Sequence, residues 1–320
     1  MRPAPPPPPP PGSNAPYYLD VSTVGSERTF VTCRIPAWDN TGQKKTRMMR
    51  LDDNGLQWVF FGDAEWNIHA MFSTVLPLRG AWAVGSGGMA GVFAAGDRSD
   101  YKVLPNLDNG ELRGVRVIVG NVYVCGDQHQ VFRAGPDRQF SRIDDGIFVP
   151  ASKPGVVDRS WTDIDGTGPD NLYVVGKGGE IAHRDGQKWT RLKSPTKSDL
   201  HHILVRSTDE FYICGDNGVL LKGNHLGWTP LVPEGGAPFL SMTWFLDTLY
   251  VNTADTLFRL ADNQLQPVPI RMPGYTGKPP IRKISAAGNS PLWVSTGTPL
   301  FLRFDGVVWA KAENPFPMQF

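Results

Sequence analysis

The sequence predicts an all-β fold, a seven-bladed β-propeller of four-stranded antiparallel blades, and three observations carry the prediction. A unit of about forty residues recurs seven times, the period of propeller blades. Each unit holds short runs of alternating apolar and polar residues, the pattern of a half-buried strand. Glycine (35) and proline (29) make up a fifth of the 320 residues, against roughly 12% in an average chain. That excess supplies turns for many short strands.

The clearest copies run from Asn171 (NLYVVGKGGEIAHRDGQKWTRL) and from Glu210 (EFYICGDNGVLLK, continuing to WTPL at 228–231). Four apolar residues lead into a Gly-x-x-Gly turn, a second apolar run ends in a cation, and Trp-Thr follows a polar turn. The same grammar starts at Val122, Leu249 and Leu292, and more weakly at Ala81 and Phe30. Starts at 30, 81, 122, 172, 211, 249 and 292 are spaced 51, 41, 50, 39, 38 and 43. An alternating stretch precedes each anchor, as in Tyr18–Val21, Trp161–Ile164, Leu200–Ile203 and Ile281–Ile284. Each unit thus reads as strands A, B, C and D, and a helical period of useful length is missing throughout. Residues 17–66 hold all four strands of blade 1, and Trp309 begins strand D of blade 7, so each blade is contiguous in sequence. The alternative is that Tyr17–Val21 completes the last blade.

Ahead of the repeats, Pro5–Pro11 are seven consecutive prolines. Such a run adopts polyproline II and carries no side chains for a core. Residues 1–16 therefore read as a disordered proline-rich tail and 17–320 as a single propeller domain. The tail is either a stiff tether or a ligand for an SH3- or WW-like reader.

Lysine and arginine (32) nearly cancel aspartate and glutamate (31), so a nucleic-acid partner is not expected. No apolar run approaches the ~18 residues of a membrane span, and no apolar leader is visible, which predicts a cytoplasmic protein. Cys33, Cys125 and Cys214 share the fourth slot of strand B in blades 1, 3 and 5. Non-adjacent blades are too far apart for disulfides, so these thiols read as small core residues in a reducing compartment. The six histidines lack metal-ligand spacing, and His201 and His202 point to opposite faces of one strand. Neither a metal nor a cofactor is expected. Arg50, Arg133, His183, Lys222, Arg259 and Arg303 recur at the end of strand C, with Ala94 breaking the series in blade 2. They form either a positive ring for an acidic partner or locally paired strand-end residues, and the balanced charge favours the second.

The unit resembles those of bacterial propellers built from neuraminidase-type (BNR), WD-like or photosystem-assembly-factor-like repeats, over about residues 17–313. The Asp-box turns of neuraminidases are matched by Asp185-Gly186 before Trp189 and Asp305-Gly306 before Trp309, each one residue out of pattern. That box is a structural turn and implies no sialidase activity. What the resemblance implies for a propeller of this size is an assembly factor or a toxin-neutralising immunity protein.

Chemistry is hard to find. A Gly-x-Ser-x-Gly elbow is missing, Gly176-Lys-Gly-Gly is followed by neither Lys-Ser/Thr nor a helix, and paired carboxylates are not legible. A non-catalytic protein that binds another protein is therefore expected, with a glycan-binding or sialidase-like propeller as the alternative. The long connections place the binding face. The B–C insertion Arg34–Lys45 and the D–A insertions Asp144–Ser160 and Met272–Pro280 all fall at one rim, while Ser73–Gly80 lies at the other. Exposed aromatics with cations are the usual hot-spot material. The expected partner-binding residues are Trp38, Asp39, Lys44, Lys45, Trp66, His129, Lys177, Asp216, Tyr275 and Lys278. The competing reading is that loops vary because nothing constrains them.

Overall fold

A computed structural model describes residues 15–25, 28–52, 57–76, 79–94, 100–103, 110–153 and 159–313. The proline tail lies outside them. Seven four-stranded antiparallel sheets follow one another, at 17–64, 68–103, 112–142, 161–192, 200–230, 241–268 and 283–311. Each is ordered A-B-C-D in sequence, so the protein is the expected seven-bladed β-propeller with contiguous blades. Strand A of blade 1 (Tyr17–Val24) pairs with its own strand B (Arg28–Arg34). Its links to blade 7 include two backbone bonds, Tyr18 N–H to Thr298 O (3.2 Å) and Gly297 N–H to Tyr18 O (2.8 Å), and an ion pair of Asp20 with Lys283 (2.8 Å). Blades 1, 6 and 7 form one compact unit and blades 2 to 5 another.

The middle of strand B is buried in each repeat, and in Phe211–Gly215 the whole strand is, which is why its apolar run does not alternate. Apolar residues of all four strands fill the seams between neighbouring blades. Tyr18, Trp58, Trp293 and Phe301 pack between blades 1 and 7, and Tyr173, Ile203, Phe211 and Leu221 between blades 4 and 5. Each such side chain contributes about 1.5–3 kcal/mol by leaving water. All three cysteines are free and buried in these layers, where burial pushes each thiol well above its usual range.

Register explains the cation series. Arg133, His183, Lys222, Arg259 and Arg303 each lie directly opposite an aromatic of strand B: Tyr123, Tyr173, Tyr212, Tyr250 and Trp293. Their polar partners are local, with Arg133 on Asn121, His183 on Asn171, Lys222 on Glu210 and Arg259 on Gln266. In blade 2 the residue opposite the aromatic, Trp82, is Val92. The break in the series therefore falls at Val92 and not at Ala94.

The B–C turns of blades 2, 4 and 5 are single 3-10 turns at Ser86–Gly88, Lys177–Gly179 and Asp216–Gly218. Backbone bonds fasten the turns of blades 4 and 5 to the preceding D–A connections: Lys177 N–H to Ser160 O (3.1 Å) and Asp216 N–H to Asp199 O (2.8 Å). In blades 4 and 5, as expected, B–C and D–A connections share one end of the blade.

Candidate functional site

In blade 1 the B–C insertion begins with a one-turn helix, Pro36–Asn40, opened by proline at its first position. It sets the half-buried Trp38 beside two cations, with the Arg47 guanidinium carbon 5.1 Å and the Lys45 nitrogen 6.0 Å from the ring centroid. Arg47 lies equally over Phe60 (5.0 Å) and is held by a two-pronged contact with Asp63, at 2.8 and 2.9 Å. The result is an aromatic–guanidinium–aromatic sandwich, with Phe60 53% exposed on the outer strand. Asp39 pairs with Arg34 (2.8 Å) and Lys45 with Glu65 (3.0 Å), so their charges are already engaged. Lys44 is exposed. Trp66 does not belong to this surface. It is 5% exposed, its carbonyl takes the Thr46 hydroxyl (3.1 Å), and its ring is enclosed.

Between blades 6 and 7, Lys278 pairs with Asp255 of the B–C turn at 2.9 Å, and hydrogen bonds led by that ammonium hold the Asp255 carboxyl below its usual range. Tyr275, three positions earlier in the same loop, is 37% exposed and bridged to Met272. Lys278 and Asp255 edge a cleft of about 370 Å³ whose floor is Leu257, Val268, Ile270 and prolines. A second cleft of about 410 Å³ opens on the other side of Val268–Arg271, against Phe304, Val308 and Trp309.

Among blades 2 to 5, Lys177 and Asp216 sit half-buried in equivalent turns, and Asp216 accepts from His201 at 2.8 Å. His129 was expected at the surface but is fully buried. It occupies the slot that Gly179 and Gly218 fill, with φ +60, an uncommon conformation for a side-chain-bearing residue. Its imidazole stacks on Trp161 (4.1 Å between centroids), and Nε2 lies 2.6 Å from Glu180. Arg191 reaches the other ring nitrogen, 3.1 Å from Nδ1. Burial alone would raise the Glu180 carboxyl, but the His129 hydrogen bond and the charges of His129, Arg191 and Arg159 pull it below normal. Glu180 is thus the hub of a cationic cluster with Arg159 half-exposed at its rim. Buried, His129 positions this hub and offers no surface of its own.

One polar cluster escaped the sequence reading. Arg116, on strand A of blade 3, reaches Asp163 (3.2 Å) and Asp165 (3.6 Å) on strand A of blade 4. Strand A of blade 5 completes it, through Ile203 N–H to Asp163 (3.0 Å) and Val205 N–H to Asp165 (3.0 Å). Burial raises the Asp165 carboxyl despite Arg116. These residues lie 40 to 90 positions apart, beyond any local pattern. His202 leans toward Asp163 (3.5 Å) while His201 holds Asp216, confirming that the two imidazoles part company.

No family model matches the chain. Among solved structures it resembles virginiamycin B lyase from Staphylococcus aureus in a catalytically inactive form with quinupristin (TM-score 0.66, 13% identity, 90% of this chain and 94% of that one). It also resembles the WD40 propeller domain of Doa1 (TM-score 0.65, 12% identity, 90% and 92%). A third likeness is to YCF48 bound to D1 peptide (TM-score 0.58, 13% identity, 91% and 92%). At such identities these likenesses speak for the fold alone. In sequence the chain is 30% identical over 255 residues to the immune protein Tsi7 of Pseudomonas aeruginosa, covering 78% of this chain and 80% of that protein. By that measure the chain belongs to the family of the immune protein Tsi7.

Proposed function

We propose that the protein is a non-catalytic, cytoplasmic immunity protein that neutralises a toxin by binding it through the B–C and D–A ends of its blades. The relationship to Tsi7 is the observation that carries this reading. The surface chemistry supports it: the Trp38–Arg47–Phe60 sandwich and the Tyr275–Lys278 loop combine aromatic area with fixed cations, the composition of interface anchors. The three free thiols favour a reducing compartment. The glycan reading gains little. Trp66 is enclosed, and the acceptor positions of Asp163 and Asp165 are taken by Arg116 and backbone N–H groups.

The test is capture of the toxin from the cells that make both proteins, with wild type beside Trp38→Ala/Tyr275→Ala/Lys278→Ala. Wild type is expected to hold the toxin stoichiometrically and to protect cells that express it. The triple variant is expected to lose about a hundredfold in affinity, about 2.8 kcal/mol. Undiminished binding by the folded variant would move the interface elsewhere, and protection without any complex would end the binding reading.

A further inference from the structure

Four blades carry a tryptophan at the start of strand D: Trp58, Trp189, Trp228 and Trp309. Two of them close a seam with the preceding blade. Trp58 donates its indole N–H to Glu313 O (2.9 Å), just past strand D of blade 7 (Trp309–Lys311). Trp189 does the same to Ile143 O (2.5 Å), just past strand D of blade 3 (Phe140–Arg142). The other two indoles have no hydrogen-bond partner among the described residues, although both nitrogens are shielded from water. At each of these seams the tryptophan borders a cleft.

At the seam of blades 6 and 7 the cleft holds about 410 Å³. One wall is the chain leaving strand D of blade 6, Val268, Pro269, Arg271 and Pro273, and the other is Val307, Val308 and Trp309. At the seam of blades 4 and 5 a cleft of about 290 Å³ lies between Leu192–Pro195 and His225–Trp228. Prolines fix φ and cannot donate, and the exit from blade 6 carries Pro267, Pro269 and Pro273. An unsatisfied buried donor is costly, and Trp309, 5% exposed, carries one at the edge of an apolar surface. Val307 is 87% and Val308 56% exposed on the turn that forms the wall, and Leu246 (62%) lies against that same turn at Gly306.

We propose that the seam between blades 6 and 7 is a slot for an extended peptide segment of the protein partner. One backbone carbonyl of that segment accepts from Trp309 Nε1, and its apolar side chains cover Val307, Val308 and Leu246. The two closed seams show the same slot filled by the chain's own backbone, which is why an extended peptide is the occupant. Because the indole is shielded, entry displaces the exposed Val307–Val308 wall. The source of the segment rests on the toxin-binding reading; the slot does not, and the test uses no toxin.

The probe is a blocked peptide, acetyl-Trp-Ala-Lys-Ala-Glu-amide, which copies residues 309–313, the stretch whose end covers Trp58. It is titrated to about 10 mM, a weak-binding regime, into the full chain labelled with ¹⁵N at tryptophan. The Trp309 indole proton is expected to move downfield saturably while those of Trp58 and Trp189 stay put. Trp309→Phe keeps the ring and removes the donor, and is expected to weaken the peptide about fivefold to tenfold. Trp58→Phe is expected to leave the titration unchanged. A stationary Trp309 signal, equal movement of Trp58, or undiminished binding by folded Trp309→Phe would each overturn the proposal.

Discussion

Asp127 shows how much one buried side chain holds at the turn face. It is fully enclosed and accepts two bonds from Arg113 (2.6 and 3.1 Å), one from Glu111 N–H (3.0 Å) and one from the Ser160 hydroxyl (2.9 Å). Burial alone would raise its carboxyl, but these bonds together hold it below the usual range. Replacement by Asn removes the charge and leaves Arg113 only its half-exposed partner Glu111 (3.1 Å), so Asp127→Asn is expected to cost about 3 kcal/mol at pH 7, read from urea midpoints. The pH dependence follows from the sign of the shift. A depressed folded-state pKa gives stability that is present above the unfolded value near 3.9 and lost as pH falls through the folded value. The gap between wild type and Asp127→Asn is therefore expected to narrow below about pH 4; a gap as wide at pH 2.5 as at pH 7 would contradict the assignment.

At the scale of the element, the Gly-x-x-Gly turn separates two reasons for glycine. Gly178 and Gly179 both have positive φ (+67 and +76). A Cβ on Gly178 meets nothing within 4 Å, whereas one on Gly179 would lie 2.2 Å from Thr196 O of the following connection. Gly178→Ala is expected to cost about 1 kcal/mol, the backbone penalty alone. Gly179→Ala adds a clash with backbone and is expected to cost about 3 kcal/mol or more. Equal costs in thermal unfolding would show that the second glycine is not there for close approach. The turn, the strand runs and the cysteine slots were readable because each is set by residues within a few positions. The engagement of Asp39, Lys45 and Lys278 in ion pairs was not, and neither was the enclosure of Trp66 and His129. Partners such as Glu180 for His129 lie 51 positions away, in the neighbouring blade. Glycine replaced by His129 in an otherwise regular turn was the one local sign that something different happens there.

For the molecule as a whole, the question is what joins the last blade to the first when no strand is shared. The seam is built from side chains: Trp58 and Tyr18 of blade 1 pack on Phe301 of blade 7, with ring centroids 5.9 and 5.2 Å away. The Trp58 indole adds its bond to Glu313 O and Tyr18 its two backbone bonds. Blades 1, 6 and 7 draw on both halves of the chain, so this seam cannot form until the last blade has been made. Its strength is then mostly apolar area, with the hydrogen bond a small part. Trp58→Phe retains the ring contact and is expected to cost about 1 kcal/mol. Trp58→Ala empties the seam and is expected to cost about 4 kcal/mol, the usual range for a buried tryptophan. Hydrogen exchange separates this from an ordinary core loss: in Trp58→Ala the amides of Tyr17–Val24 and Trp309–Lys311 are expected to exchange first. If they stay as protected as the strands of blade 4, the first and last blades are held together by something other than this tryptophan.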